Sequence, residues 1–185
     1  MNITIQEMKN AYDKRKNLKL AAADIGMKWQ TLYWYLKREN HPVIGSKSEY
    51  GSDKDKFAAR AESDFKKMIP SAIDMNKEKF QSKYDFKVND LKVDIKASNL
   101  HSGIKYSKYM RWAFSLRKQE MFADFIVGMA YKNNELFKLF LFPSEQVRFR
   151  QTITISERGS NKWSDYEISK EELQEFFEST VTNKN

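Results

Sequence analysis

The chain of 185 residues contains no cysteine, two histidines and three prolines. Without cysteine, disulfide scaffolds, thiolate-bound zinc and thiol nucleophiles are excluded. The two histidines, His41 and His101, are too few for a multi-histidine metal site. No apolar run approaches the roughly 18 residues of a membrane-spanning helix, and the amino terminus does not resemble a secretion signal. The sequence therefore predicts an intracellular, cytoplasmic protein with no membrane partner.

Charged and aromatic residues are abundant instead. The 33 Lys and Arg outnumber the 25 Asp and Glu, and 13 Phe, 9 Tyr and 4 Trp can fill a hydrophobic core, which excludes general disorder. Residues 1–50 carry 9 basic and 5 acidic side chains, residues 51–118 carry 16 and 9, and residues 119–185 carry 8 and 11. A phosphate-facing surface is therefore expected before residue 119, with the acidic final third as scaffold. A solvated lysine-rich surface is the alternative.

The amino-terminal part has the periodicity of a small helical domain. Apolar spacing predicts helices over residues 5–16, 18–25 and 28–39, the last with Trp29, Leu32 and Leu36 facing inward. Residues 40–52 contain one proline, two glycines and several Ser and Asn, which is typical of a linker. The predicted organisation is therefore an all-α domain over residues 1–40, a linker over 41–52 and a second domain over 53–185.

The segment LKLAAADIGMKWQTLYWYLKREN has the spacing of two closely packed helices. Ala21 and Ala22 permit close approach, and Gly26 permits the left-handed conformation of a tight turn. The segment resembles DNA-binding helix-turn-helix modules, in which the second helix, here Lys28–Arg38, enters the major groove. The resemblance implies a DNA-contacting surface of Lys28, Gln30, Thr31, Trp34, Lys37 and Arg38. A plain helical hairpin that packs on the second domain is the alternative.

The second domain alternates helical and strand patterns. A helix begins at Asp53 as its N-cap and runs to Ile69, where Pro70 ends it. A further helix is expected over 107–120, with Tyr109, Trp112 and Leu116 in the core. Strands are expected over 83–88, 91–97, 124–131, 135–142 and 147–155, followed by an acidic helix over 170–179. This order predicts an α/β fold.

The two strands at 83–88 and 91–97 form the most informative pattern. Asn89-Asp90 suits a two-residue hairpin turn, because both residues tolerate positive φ. That turn sets Phe86 opposite Val93 and Asp85 opposite Asp94. Since side chains alternate between faces, the apolar residues share one face, while Asp85, Asp94 and Lys96 share the other. Two facing carboxylates repel each other unless a cation compensates, and oxygen ligands of this kind suit Mg²⁺.

This hairpin resembles that of the PD-(D/E)XK nuclease superfamily, which includes many restriction endonucleases. Asp85 matches the first acid, and Asp94-Ile95-Lys96 matches the (D/E)-x-K triplet. Glu62, in the preceding helix, matches the glutamate that many members add to the metal site. Tyr84 stands where the motif has proline, and no first core strand is evident between Asn76 and Ser82. The resemblance implies a restriction-endonuclease-like αβββαβ core with a mixed sheet.

The resemblance also implies an activity. Asp85, Asp94, Glu62 and the backbone carbonyl of Ile95 would bind Mg²⁺, with Mn²⁺ as a substitute, and Lys96 would position or activate the attacking water. The expected protein is a sequence-specific endonuclease of double-stranded DNA, of restriction or homing type, prokaryotic or phage-encoded and homodimeric. The alternatives are a Holliday-junction resolvase or repair nuclease, and a non-catalytic helix-turn-helix regulator. An ordinary surface hairpin of mixed charge is the bland interpretation of the motif.

Overall fold

The computed structural model describes residues 3–43, 52–78, 82–103, 109–116, 121–159 and 161–179. The chain forms two compact units, one of Met1–Lys56 with Asn76–Gln81, the other of Phe57–Met75 with Ser82–Asn185. The described part contains six α-helices and a mixed sheet, so the predicted α/β class is confirmed. None of its helices is long and apolar enough to span a membrane.

Three short helices build the amino-terminal unit: α1 (Ile5–Arg15), α2 (Leu18–Asp24) and α3 (Trp29–Arg38). A capping box between Thr4 and Glu7 begins α1, and the Asn17 side chain caps α2. Between α2 and α3 the chain turns at Gly26, whose φ is +67°, a conformation that glycine adopts without strain. The helices enclose a core of Met8, Tyr12, Ala21, Ala22, Leu32, Leu36 and Val43.

The remaining elements follow in chain order. They are α4 (Asp53–Met68), β1 (Ile73–Asp74), α5 (Met75–Glu78), β2 (Phe86–Val88), β3 (Leu91–Asn99), β4 (His101–Ser102), β5 (Met110–Ser115), β6 (Phe125–Lys132), β7 (Glu135–Pro143), β8 (Thr152–Ser156), β9 (Glu167–Ile168) and α6 (Lys170–Ser179). Short 3-10 helices cover Ser144–Val147 and Ser164–Tyr166. The predicted carboxy-terminal helix over 170–179 is confirmed.

Six strands form the main sheet in the order β1-β2-β3-β6-β7-β9. Only β3 and β6 run parallel, and every other neighbouring pair is antiparallel. Asn133 and Asn134 join β6 to β7 with positive φ at both residues, as a two-residue hairpin turn of twisted strands requires. Strands β4, β5 and β8 form a second, antiparallel sheet.

The two faces of the main sheet are covered by different layers. On one face, α4 and α6 pack through residues such as Phe65, Leu173 and Phe177 onto Val93 and Val127. On the other face, the second sheet packs through Trp112, Phe114 and Ile153 onto Ile126 and Phe140. Gly128 lies under this second sheet, where an added Cβ would approach the Phe142 ring to 3.0 Å and the Phe114 ring to 3.3 Å. Glycine at 128 therefore lets the two sheets pack closely.

The expected helix over 107–120 is wrong for the residues that the structure describes, because Met110–Ser115 forms strand β5. Trp112, Phe114 and Leu116 are buried at every second position, which is the period of a strand. Tyr109, expected in the core, is exposed. The rest of that expected helix, at 107–108 and 117–120, lies outside the described residues.

Three smaller expectations are also corrected. The strand expected over 147–155 begins only at Thr152, because Val147 ends a 3-10 helix and Phe149 has a φ of +65°. A first core strand exists as the two-residue β1, which has too few residues for a periodic signal. The N-cap of α4 is Ser52 instead of Asp53, since its hydroxyl accepts from the Asp55 N–H and the Asp55 carboxylate accepts from the Ser52 N–H.

Candidate active site and nucleic-acid interface

The predicted register of the β2–β3 hairpin is confirmed for three residue pairs, but the strand expected from residue 83 begins only at Phe86, so the pairs end before the expected pair of Asp85 with Asp94. Val88 pairs with Leu91, Lys87 with Lys92, and Phe86 with Val93. Asn89 has a φ of +55°, so the first of the two turn residues adopts the left-handed conformation that asparagine tolerates. Beyond the end of β2, the Asp85 N–H donates to the carbonyl of Val93 at 3.1 Å, the residue that also pairs with Phe86, so the first acid of the motif stays at the edge of β3 but leaves the regular register.

The apolar and charged faces of the hairpin separate as predicted. Phe86, Val88, Val93 and Ile95 are buried in the core beneath α4 and α6. Asp94 and Lys96 alternate with those core residues along β3, so they belong to the opposite face of the main sheet. In the parallel ladder with β6 they pair with Ile126 and Gly128, respectively.

Asp94 is the electrostatic centre of this face. Its side chain is buried, with 3% of the residue exposed, and the Lys96 Nζ lies 2.5 Å from Asp94 Oδ2. The pKa of Asp94 is raised to about 7, chiefly by burial and then by the negative charge of Asp85, with a smaller contribution from Glu62, while Lys96 lowers it. Although the two atoms are close, Asp94 Oδ2 forms no well-aligned hydrogen bond. The contact between Asp94 and Lys96 is therefore an ion pair.

Asp85 and Ile95 are linked directly. The Asp85 Oδ2 accepts a hydrogen bond of 2.8 Å from the Ile95 N–H. Because the N–H and C=O of an extended residue point to the same edge of a strand, the Ile95 carbonyl leaves β3 on the edge where Asp85 lies. The first acid of the motif and the central residue of the triplet are therefore joined at one edge of the strand.

Glu62 reaches the site from α4. It is half-buried, and its charge acts on Asp94. Two contacts hold this helix on the sheet: the Tyr131 hydroxyl donates to Asp64 Oδ2 at 2.9 Å, and the Arg60 guanidinium donates to the Asn134 carbonyl. Asp85, Asp94 and Lys96 therefore lie at one site, and Glu62, the fourth catalytic residue predicted from the sequence, acts on Asp94 through its charge.

The donor set suits a hard divalent cation. The three acids carry more negative charge than Lys96 balances, and Asp94 Oδ2 is a buried oxygen without a well-aligned donor. Across the described ranges, no three His, Asp or Glu side chains lie close enough together to form a complete metal cage. Asp85 and Asp94 are therefore the pair that could hold Mg²⁺ with help from the Ile95 carbonyl, while Glu62 contributes charge from α4.

Ser98 and Lys83 lie close to the motif residues in sequence and were not predicted as site residues. The Ser98 hydroxyl, two residues beyond Lys96, accepts a hydrogen bond of 2.9 Å from the Ala113 N–H of β5. The second sheet therefore covers the Ser98 end of the acidic face. Lys83 is two residues before Asp85, and its ammonium lies 4.5 Å from the Phe122 ring centre. Ser98 could have been predicted, because it continues the alternation of Asp94 and Lys96 along one face of β3. No periodic pattern indicates Lys83.

In the amino-terminal unit, α3 presents a polar and aromatic surface. All six residues expected to contact DNA are exposed: Lys28, Gln30, Thr31, Trp34, Lys37 and Arg38. Trp34 is 55% exposed, and the Arg38 guanidinium lies 5.0 Å from its ring centre. Trp29 was expected in the core and is instead 36% exposed, because Leu32 and Leu36 already fill the inward face of α3.

No known protein-family model matches the sequence, and no curated protein matches it.

Proposed function

We propose that the protein is a Mg²⁺-dependent, sequence-specific endonuclease of double-stranded DNA with the restriction-endonuclease-like fold. The observation that carries the proposal is a buried carboxylate, Asp94, that lies beside Lys96 and within the electrostatic reach of the half-buried acids Asp85 and Glu62. Like charges buried together are costly unless a bound cation uses them. An ordinary surface hairpin of mixed charge has no reason to bury Asp94 in this way.

The strand order supports the same proposal. Helix α4 precedes an antiparallel meander of β1, β2 and β3, and β6 then lies parallel to β3. An αβββαβ core requires this arrangement. In the described part of the connection from β3 to β6, strands β4 and β5 stand where that core has a helix.

Each site residue has a distinct chemical role in the proposed reaction. Bound Mg²⁺ would polarise a phosphate oxygen and lower the pKa of a coordinated water. Asp85 and Asp94 supply the anionic oxygens that hold the cation, and burial of Asp94 keeps bulk water from competing. Lys96 is placed to orient the attacking water and to stabilise negative charge that develops on the phosphate. Glu62 adds negative charge from α4.

The amino-terminal unit supplies target recognition in this proposal, as a helix-turn-helix. The first turn of α3 contains no acid, so the positive end of the helix dipole and Lys28 can both approach phosphate. Gln30 and Thr31 lie exposed in that turn, where they can contact base edges. Lys37 and Arg38, at the other end of α3, suit the DNA backbone.

Cleavage of supercoiled DNA in the presence of Mg²⁺ tests the proposal. We expect the wild-type protein to cut, and Lys96→Ala to cut at least about 100-fold more slowly, because a charge-stabilising group at the reacting phosphate is lost. Lys92→Ala is the matched control, since Lys92 is an exposed lysine two residues from Asp94 on the same strand. If Lys96→Ala cuts as fast as Lys92→Ala, the assigned site is wrong.

A non-catalytic DNA-binding regulator is the second candidate. It is favoured by the Lys96 ammonium, which occupies the neighbourhood of Asp94 Oδ2, and by the lack of a close three-acid cage among the described residues. A library of random-sequence DNA distinguishes the two candidates. A protein that retains particular sequences and cleaves none of them in Mg²⁺ or Mn²⁺ is a regulator.

A further inference from the structure

A strained, exposed aromatic residue lies far from the acids in sequence. Residues Val147–Arg150, which we name the aromatic turn, form a type II β-turn: Arg148 has φ −52° and ψ 137°, Phe149 has φ +65°, and the Arg150 N–H donates to the Val147 carbonyl at 3.0 Å. The third residue of such a turn is ordinarily glycine or asparagine, because a side chain with positive φ is strained. Here it is phenylalanine.

Among the described residues, none buries the Phe149 ring in compensation for that strain. Phe149 is 88% exposed, the largest exposed fraction among the exposed large hydrophobic residues that the structure describes. Arg148 and Arg150 are both exposed, and the Arg148 guanidinium lies 5.5 Å from the Phe149 ring centre. The turn therefore displays an aromatic ring between two cations. An aromatic face beside arginine is a combination that stacks on nucleic-acid bases and contacts phosphates.

The base of the aromatic turn is rigid. Val147 is fully buried in the core between the two sheets, and the residue after the turn, Gln151, accepts a hydrogen bond of 3.0 Å from the Leu116 N–H. Both ends are thus fixed while the tip projects into solvent. A backbone held in this way loses little further conformational entropy when the turn binds a partner.

The aromatic turn also lies on the same side of the main sheet as the acidic site. Asp94 pairs with Ile126, and Ile126 pairs with Phe142, so Phe142 is two strands from Asp94, or about 10 Å at ordinary strand spacing. Ile126, Phe142 and Val147 all belong to the core beneath the second sheet, on the face that also bears Asp94 and Lys96. The turn begins five residues after Phe142, so both the acids and the base of the turn belong to this face of the sheet.

We infer that the aromatic turn is a second DNA-contacting element, in which Phe149 stacks on or between bases while Arg148 and Arg150 bind the flanking phosphates. This inference rests on the proposed nuclease function, and it adds a contact within the unit that contains the acids. It also places DNA contact in the final third of the chain, where the overall acidic charge had favoured a purely structural role.

Replacing Phe149 with glycine separates a binding role from a structural role. Phe149→Gly removes the ring and relieves the strain, so we expect an unchanged or higher unfolding temperature together with affinity for a 30-base-pair duplex weakened about 5- to 150-fold, the range that loss of base stacking produces. Phe149→Trp should retain the affinity. The affinity is measured by fluorescence anisotropy at about 50 mM salt without Mg²⁺, because phosphate contacts are strongest at low salt.

The arginines are tested through the salt dependence of the same binding. Arg148→Gln and Arg150→Gln should each lower the slope of log affinity against log salt by about 0.9. Arg158→Gln is the matched control, because Arg158 is an exposed arginine of the same unit beyond the other end of β8, and its slope should not change. An equal loss with Arg158→Gln would mean that total charge matters and not the turn, which would overturn the inference.

Three other outcomes distinguish failure of the inference about the aromatic turn from failure of the nuclease proposal. If the wild type cuts DNA and Phe149→Gly binds as tightly as wild type, the aromatic turn is not a DNA contact, although the nuclease proposal stands. If Phe149→Gly instead abolishes self-association measured by sedimentation, the turn contacts protein, and the inference is again wrong. If the wild type neither binds nor cuts any DNA, both proposals fail together.

Discussion

Asp94 is buried beside Asp85 and within the field of Glu62, so its carboxylate destabilises the folded state whenever it is ionised. Burial is the largest cause, and Lys96 offsets only part of it. A residue chosen for stability alone would be neutral or apolar here. Functional sites commonly retain such costly groups, so the cost itself supports a role in binding a cation.

The cost of Asp94 gives a stability prediction that depends on pH. Because its pKa is raised from 3.8 to about 7 in the folded state, the unfolded chain releases this proton more readily. The contribution of Asp94 is therefore most favourable below about pH 4 and is lost as the pH rises toward 7. We expect Asp94→Asn to be more stable than wild type at pH 8, by on the order of 2–4 kcal/mol, and to lose that advantage at pH 4.

Denaturant unfolding of both proteins in EDTA at several pH values measures this difference. Asp124→Asn is a useful comparison, because the Asp124 carboxylate is exposed and accepts a hydrogen bond from the Lys92 N–H. It controls for the removal of one surface carboxyl group from the same unit. A stability difference for Asp94→Asn that stays constant between pH 4 and pH 8 would mean that ionised Asp94 does not destabilise the folded protein.

At the scale of elements, the hairpin was predictable and the strand β5 was not. The Asn89-Asp90 turn determines the register of β2 and β3, so local residues alone place Asp94 and Lys96 on one face. In β5, by contrast, Tyr109, Trp112 and Leu116 fit a helical spacing, while Trp112, Phe114 and Leu116 fit a strand. Pairing with β8, about forty residues later, decides between them. The hydrogen bond between Ser98 and β5 depends on that pairing, so it could not be predicted from the sequence either.

Helix α3 provides the prediction at this scale. We expect Gln30→Ala to reduce discrimination between a target site and random DNA by about 5- to 150-fold, as loss of one bidentate base contact does. Lys37→Gln should instead weaken binding to every sequence and lower the salt slope by about 0.9, because it removes a phosphate contact.

Anisotropy titrations with a selected and a random duplex distinguish the two effects. Lys14→Gln is the charge control, because Lys14 is an exposed lysine of helix α1. It should change neither the discrimination between sequences nor the salt slope. Equal behaviour of Lys37→Gln and Lys14→Gln would remove α3 from the DNA interface.

At the scale of the whole molecule, the described residues of each chain form one candidate acidic site, whereas cleavage of both DNA strands requires two attacks.

The α/β class and the mixed sheet follow from the order of helical and strand patterns, and the structure has both. The second sheet did not follow, because β4 has two residues and the first strand of the main sheet is equally short. Elements of that length have no measurable period.

A homodimer that cuts both strands predicts a specific effect of mixed subunits. When wild type is mixed with a large excess of Lys96→Ala, most wild-type chains will pair with an inactive partner, so plasmid should accumulate as nicked circles instead of linear DNA. Gel analysis of supercoiled substrate during the first turnover measures this. Lys92→Ala in the same excess should leave linear product dominant, and linear product in both mixtures would mean that one chain cuts both strands.

The register of the β2–β3 hairpin also limits how this gene can vary. Within β3, inserting or deleting one codon between Asp94 and Lys96 would send the two side chains to opposite faces of the sheet. Between Asp85 and Asp94, a change in the turn is tolerated only if the new loop restores the pairing of Phe86 with Val93. Descendants of this sequence should therefore change freely in the identity of Lys87 and Lys92, while the number of residues separating the two aspartates stays constrained.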